Sequence, residues 1–204
     1  MRADESKTAE RHLRKLCVDI EQRYVGSEGN REATDYVAGV FERAGWTVER
    51  QAFDAFDWRD ESASLDADGV AVDVTMSPYS PDCDVAAELA FASTNEELME
   101  VDATDKLLVL HGQLASEQLM PKGFVFYNPE RHQRLVAALE ESGAKALVFI
   151  VDESAEHEGG DYPFPIIEDG DFEVPSVYTT QDEGQKLLNA SHGTLVATAE
   201  RSPS

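Results

Sequence analysis

The stretch Ser142-Gly143-Ala144-Lys145-Ala146-Leu147-Val148-Phe149-Ile150-Val151 decides the fold class. A helix-stopping glycine is followed by an uninterrupted apolar run too short for a helix and too continuous for a half-exposed strand, which is the pattern of a strand covered on both faces. Upstream, residues 129–142 place His132, Leu135, Val136 and Leu139 on one helical face, and Gly143 ends that helix. A helix feeding a buried strand is the unit of an α/β layer. A second buried strand is expected at Lys106-Leu107-Leu108-Val109-Leu110-His111-Gly112, and further strands at 85–91, 174–179 and 194–200. Residues 62–65 and 70–74 flank Asp66-Ala67-Asp68-Gly69, a hairpin signal. Residues 94–101 read as a short helix or turn, 181–189 as a helix, and 114–120 as one or two helical turns.

The grammar differs before residue 57. Residues 5–24 carry Ala9, Leu13, Leu16 and Ile20 at helical spacing. Two glycines break the period in Val25-Gly26-Ser27-Glu28-Gly29-Asn30, where Ser27 or Asn30 can cap a second helix with Ala33, Val37, Val40, Phe41 and Ala44 as its apolar stripe. Gly45 closes it, and residues 46–53 alternate like a strand. The expected organisation is a helical segment at 1–56, a β-rich domain at 57–200 and a tail at 201–204.

The chain of 204 residues has 17 Lys and Arg against 41 Asp and Glu, a formal charge of −24. Phosphate binding needs a clustered positive surface, so a nucleic-acid partner is excluded, as is an anionic membrane. No apolar run approaches the roughly 20 residues of a membrane span, and the N-terminus lacks the apolar core of a secretory signal, so a cytoplasmic location is expected. Carboxylates recur along the whole chain, which reads as a surface property suited to a salt-rich cytoplasm, the halophilic pattern. Cys17 and Cys83 are isolated and suggest neither a disulfide framework nor a zinc site.

Catalytic signatures are missing. The five histidines, His12, His111, His132, His157 and His192, form no His-x-Asp pair and no His-Glu-x-x-His. His132 reads as a satisfied histidine on an apolar helix face. Glu156-His157-Glu158 with Asp161 has ligand-type residues, yet such clusters arise by chance in so acidic a chain; Asp169-Gly170-Asp171-Phe172-Glu173 lacks the full calcium-loop pattern. No Gly-x-Ser-x-Gly elbow or phosphate-cradling loop occurs. The expected site assignment is therefore no catalytic, metal or cofactor residue, with a possible recognition loop at His157, Tyr162, Phe164 and Phe172.

Two segments resemble a known family. Residues 24–37, with Gly26-Ser27-Glu28-Gly29-Asn30, and residues 41–48, with Ala44-Gly45-Trp46, resemble the N-terminal segment of M28 zinc aminopeptidases. Residues 106–112, Ser142-Gly143-Ala144-Lys145-Ala146 and Val174-Pro175-Ser176-Val177 resemble the protease-associated (PA) domain inserted in such enzymes. The resemblance implies an α+β chain with a PA-like small barrel or sandwich, preceded by two helices and a strand. It also implies that zinc and the general base belong to a catalytic domain this sequence does not contain, since no family ligand can be carried over to a residue here. The chain is expected to be silent alone, to cap an active site or bind peptide, and to dimerise through the apolar stripes of residues 5–53. The rival readings are a free-standing peptide or protein interaction module and an enzyme built around His157.

Self-repulsion among the carboxylates predicts that the thermal midpoint, followed by circular dichroism, rises from dilute buffer to molar potassium chloride; an unchanged midpoint would contradict the salt-adapted reading.

Overall fold

The two apolar runs that decide the fold class form neighbouring parallel strands, β5 (Leu107–Leu110) and β6 (Ala146–Ile150), and every residue in them is buried. In this computed structural model, which describes residues 2–20, 22–151 and 164–203, they lie inside a curled eight-stranded sheet. The other strands are β1 (Phe56–Ala67), β2 (Val70–Val72), β3 (Thr75–Met76), β4 (Cys83–Ala92), β7 (Ser176–Thr179) and β8 (His192–Pro203). Their order is β2-β1-β8-β4-β5-β6-β7-β3. The four central strands β4 to β7 run parallel, and antiparallel strands flank them. Parallel neighbours require crossovers, here supplied by α3 (Asn95–Glu100) between β4 and β5 and by α4 (Glu130–Glu141) between β5 and β6.

The core lies on the helix side of β5 and β6, where Leu108, Leu110, Leu147 and Phe149 pack with Leu98 of α3, Val136 and Leu139 of α4, and Ile166 and Phe172. Complete burial of each large apolar side chain contributes about 1.5–3 kcal/mol. Local signals fix where helices start. Thr94 caps α3 by accepting from Glu97 N at 3.2 Å, and Thr180 caps α5 (Gln181–Leu187) by accepting from Glu183 N at 3.3 Å.

The chain divides into two compact units, residues 1–58 with 201–204, and residues 59–200. Residues 201–203, read from the sequence as a tail, are the end of β8. The division also separates the charge. The first unit carries ten Lys and Arg against twelve Asp and Glu, a balance of −2; the second carries seven against 29, a balance of −22. Carboxylates are about equally dense in the two units, 12 of 62 residues and 29 of 142, so the net charge concentrates in the second because Lys and Arg gather in the first.

In the first unit the expected helix at 5–24 is shorter and irregular: α1 (Arg2–Arg14) passes into a π-helical turn at Lys15–Asp19. The wider turn shifts the phase of the apolar stripe, so Ile20 is buried while Leu13 faces water. α2 (Glu28–Arg43) begins as expected, with Ser27 Oγ accepting from Asn30 N at 3.0 Å and donating to Tyr24 O at 2.7 Å. Residues 46–53 are not a strand, because no strand among the described residues pairs with them. Ile20, Ala38 and Trp58 are the buried apolar side chains among the described residues of this unit, whereas Phe41, Trp46 and Phe53 are half or more exposed.

Gly26, in the glycine motif, sits at φ +93°, and a Cβ there would stand 1.8 Å from Phe56 O. Gly26→Ala is expected to cost at least about 2 kcal/mol in urea unfolding, while Gly123→Ala, whose Cβ would meet nothing within 4 Å, stays within about 0.5 kcal/mol of the parent.

Candidate functional site

In parallel α/β layers, ligands gather at the carboxyl ends of the strands, where the connections leave the sheet. Here those ends carry Ser93 after β4, His111 after β5, Val151 after β6 and Thr180 after β7. Glu97 accepts from both Ser93 N and Ser93 Oγ at 2.7 Å, which holds its carboxyl below the ordinary carboxylate value. These contacts complete the N-terminal cap of α3, so the carboxylate is committed to structure.

The β5–α4 connection is a different kind of surface. After a 3₁₀ turn at Gly112–Ala115, His132 anchors the chain: its Nδ1 accepts from Met120 N at 3.2 Å, leaving the ring proton on Nε2, 3.5 Å from Glu117 Oε2. The buried imidazole is thus satisfied on one side only: Nδ1 is bonded, whereas Nε2 makes no hydrogen bond, which departs from the satisfied histidine its helical position suggests. Arg131 Nη2 donates to Glu117 Oε2 at 2.7 Å and Nη1 donates to Oε1. This hydrogen-bonded pair is the main cause that holds the Glu117 carboxyl below its usual value, against a smaller opposing cost of burial.

Beyond Met120 the connection is fastened to the segment before β7. Leu119 N donates to Ile166 O at 2.9 Å, Gln118 Nε2 to Glu168 Oε2 at 2.6 Å, and Lys122 N to Asp169 Oδ2 at 2.7 Å. Lys122 Nζ reaches Glu140 at 2.7 Å, and that hydrogen bond raises the lysine pKa. Past this clamp Phe124, Val125, Phe126 and Tyr127 project into solvent.

Of the recognition loop read from the sequence, His157 and Tyr162 lie outside the described residues. Phe164 is half-buried against the core, and Phe172 is 2% exposed, so its ring is spent on packing. His12 bonds Tyr36 in the first unit, at 2.6 Å between Nδ1 and the phenol oxygen, and His192 is exposed at the start of β8. The sequence reading assigned nothing to residues 121–128. The signal was present as four successive large apolar residues between Pro121-Lys122-Gly123 and Asn128-Pro129, a run that turn-formers confine to a loop. Among the described residues no three His, Cys, Asp or Glu side chains converge to hold a metal ion.

No family model and no curated protein sequence matches the chain. Its structure does match. An aminopeptidase from Aneurinibacillus sp. strain AM-1 superposes with a TM-score of 0.65 at 20% identity, over 96% of this chain and 45% of that one. The fold is M28-peptidase-like. A zinc aminopeptidase from Bacillus subtilis (TM-score 0.57, 16% identity) is covered to 45% of its length by 97% of this chain. A peptidase M28 precursor from Shewanella amazonensis (0.60, 15%) is covered to 51%, again by 97% of this chain. The chain thus spans about half the length of the peptidases it matches, and at these identities the M28-like likeness is one of fold.

Because the folded-state pKa of Glu117 is lowered, the stability it contributes is present above the ordinary carboxylate value and is lost as pH falls through the folded value. Glu117→Gln is expected to lower the thermal midpoint near pH 7, and the difference between the two proteins should shrink as pH falls below the ordinary carboxylate value and through the folded one.

Proposed function

We propose that this chain is the non-catalytic N-terminal and PA-domain portion of an M28-like zinc aminopeptidase, in which the β-rich unit caps the active site or binds peptide. The observation that carries the reading is that, among its described residues, the first unit buries only Ile20, Ala38 and Trp58 of its apolar side chains. On α2 and the segment after it, Val37, Ala38, Phe41, Trp46 and Val48 line an open apolar groove of about 570 Å³. A unit with so few buried apolar side chains is half of a packing arrangement, and peptidases twice as long as this chain share its fold. Hydrolysis of an N-terminal residue from a peptide belongs in this reading to the half that is not here, and the acidic second unit supports a salt-rich cytoplasmic setting.

The groove supports a second proposal. Without a catalytic half, another copy of the chain covers it, because the first unit, at −2, offers little electrostatic resistance to self-association.

Purified alone with added zinc, the chain should release no amino acid from leucine p-nitroanilide, and chelator-sensitive release would overturn the proposal. Supplied in trans with the catalytic domain of a zinc aminopeptidase from the same source, it should raise that domain's activity, an effect lost with Phe41→Ser/Trp46→Ser. Light scattering in molar potassium chloride should give a dimer that the same double substitution turns into a monomer.

A further inference from the structure

Phe124, Val125, Phe126 and Tyr127 are 43, 84, 90 and 60% exposed in the unit whose charge is −22. A run of this kind on a heavily charged surface marks a place that something else covers.

The tip is pre-organised. Asn128 Nδ2 donates to the carbonyls of Pro121 and Lys122, both at 3.2 Å, Phe124 N donates to Pro121 O at 3.0 Å, and Gln133 Nε2 donates to Asn128 O at 2.8 Å. The rings of Phe124 and Phe126 meet edge to face, with centroids 6.1 Å apart. Much of the ordering cost that a binding loop ordinarily meets on contact is therefore already met within the chain.

A cleft of about 150 Å³ opens beside the base, lined by Met120, Lys122, Asn128, Gln133, Val136 and Glu140 among others. Asn128 Oδ1 is buried and has no hydrogen-bond partner, and because Nδ2 is committed to two carbonyls, the amide cannot turn to remove the deficit. Asn128, one of the residues lining the cleft, thus keeps a buried acceptor that lacks an N–H donor. Its surroundings favour a cation: residues 117–141 and 168–173 hold eight carboxylates and three Lys and Arg. Each of the three is already paired, Lys122 with Glu140, Arg131 with Glu117 and Arg134 with Glu130.

We infer that the loop at residues 121–129 and the cleft beside it form a recognition surface for a peptide carrying bulky apolar side chains and net positive charge. The aromatic tip covers the apolar side chain, and the surplus of carboxylates selects the cationic segment. A second copy docking through this face would set −22 against −22, and an anionic lipid surface is repelled in the same way. The inference rests on the peptide-binding part of the proposed function and not on its catalytic part.

The test is fluorescence anisotropy of the full chain with labelled peptides, at a potassium chloride concentration where circular dichroism shows it folded. One peptide is made of Leu, Phe and Lys, one has Glu in place of Lys, and one has Ser in place of Leu and Phe. The first should bind at least about tenfold more tightly than the others, and Val125→Ser/Phe126→Ser should weaken it by about tenfold. Both side chains are largely in solvent, so the double variant should keep the parent's thermal midpoint. Equal affinity for the three peptides would overturn the inference, as would binding that ignores the double substitution. Binding to phosphatidylcholine vesicles through the loop, or self-association abolished by the same variant, would also overturn it. Affinity unchanged in the loop variant but lost in Phe41→Ser/Trp46→Ser would overturn the loop while leaving the peptide-binding reading in place. A loop-dependent preference that persists when the catalytic domain gains nothing from the chain supports the inference and overturns only the peptidase assignment.

Discussion

β5 and β6 have no residue in contact with water, and both faces of those strands must be covered by something other than solvent. Backbone hydrogen bonds to parallel neighbours satisfy the strand edges, and α3, α4 and the segment before β7 supply apolar cover. Once those layers are in place, the connections at the carboxyl ends of β5 and β6 must leave the sheet together. Their closeness is why Leu119, Gln118 and Lys122 can bond residues 166–169, and why a loop can be held open to solvent without collapsing onto the core. The site thus follows from burial two layers below it.

Most of this framework was legible in the sequence because each signal was local. The runs at 107–110 and 146–150, the Asp68-Gly69 turn, the cap at Ser27, and the glycine stop at Gly143 each act within a few residues, and the structure places strands and helices there. β3 was not legible: Thr75–Met76 is too short to show a period and exists because Thr75 and Met76 pair with Tyr178 and Val177 a hundred residues away. The reading of 46–53 as a strand failed for the complementary reason, since alternation describes a surface but cannot provide a neighbouring edge.

The candidate site was less legible. Attention fell on aromatics near clustered carboxylates, and of these Phe172 belongs to the core. Nothing in the composition of the run at 124–127 marks it as exposed, because composition alone does not say which apolar residues a fold will bury. What distinguishes it is its punctuation and the Asn128 side chain that closes its base. The carboxylates do recur at the same density in both units, whereas the basic residues gather in the first, a division that appears only when contacts define the two units.

The two tryptophans of the chain both lie in the first unit and occupy opposite environments, Trp58 buried and Trp46 on the rim of the open groove. An aqueous quencher such as iodide therefore reaches one indole and not the other, so the protein carries its own optical gauge of whether that groove is covered.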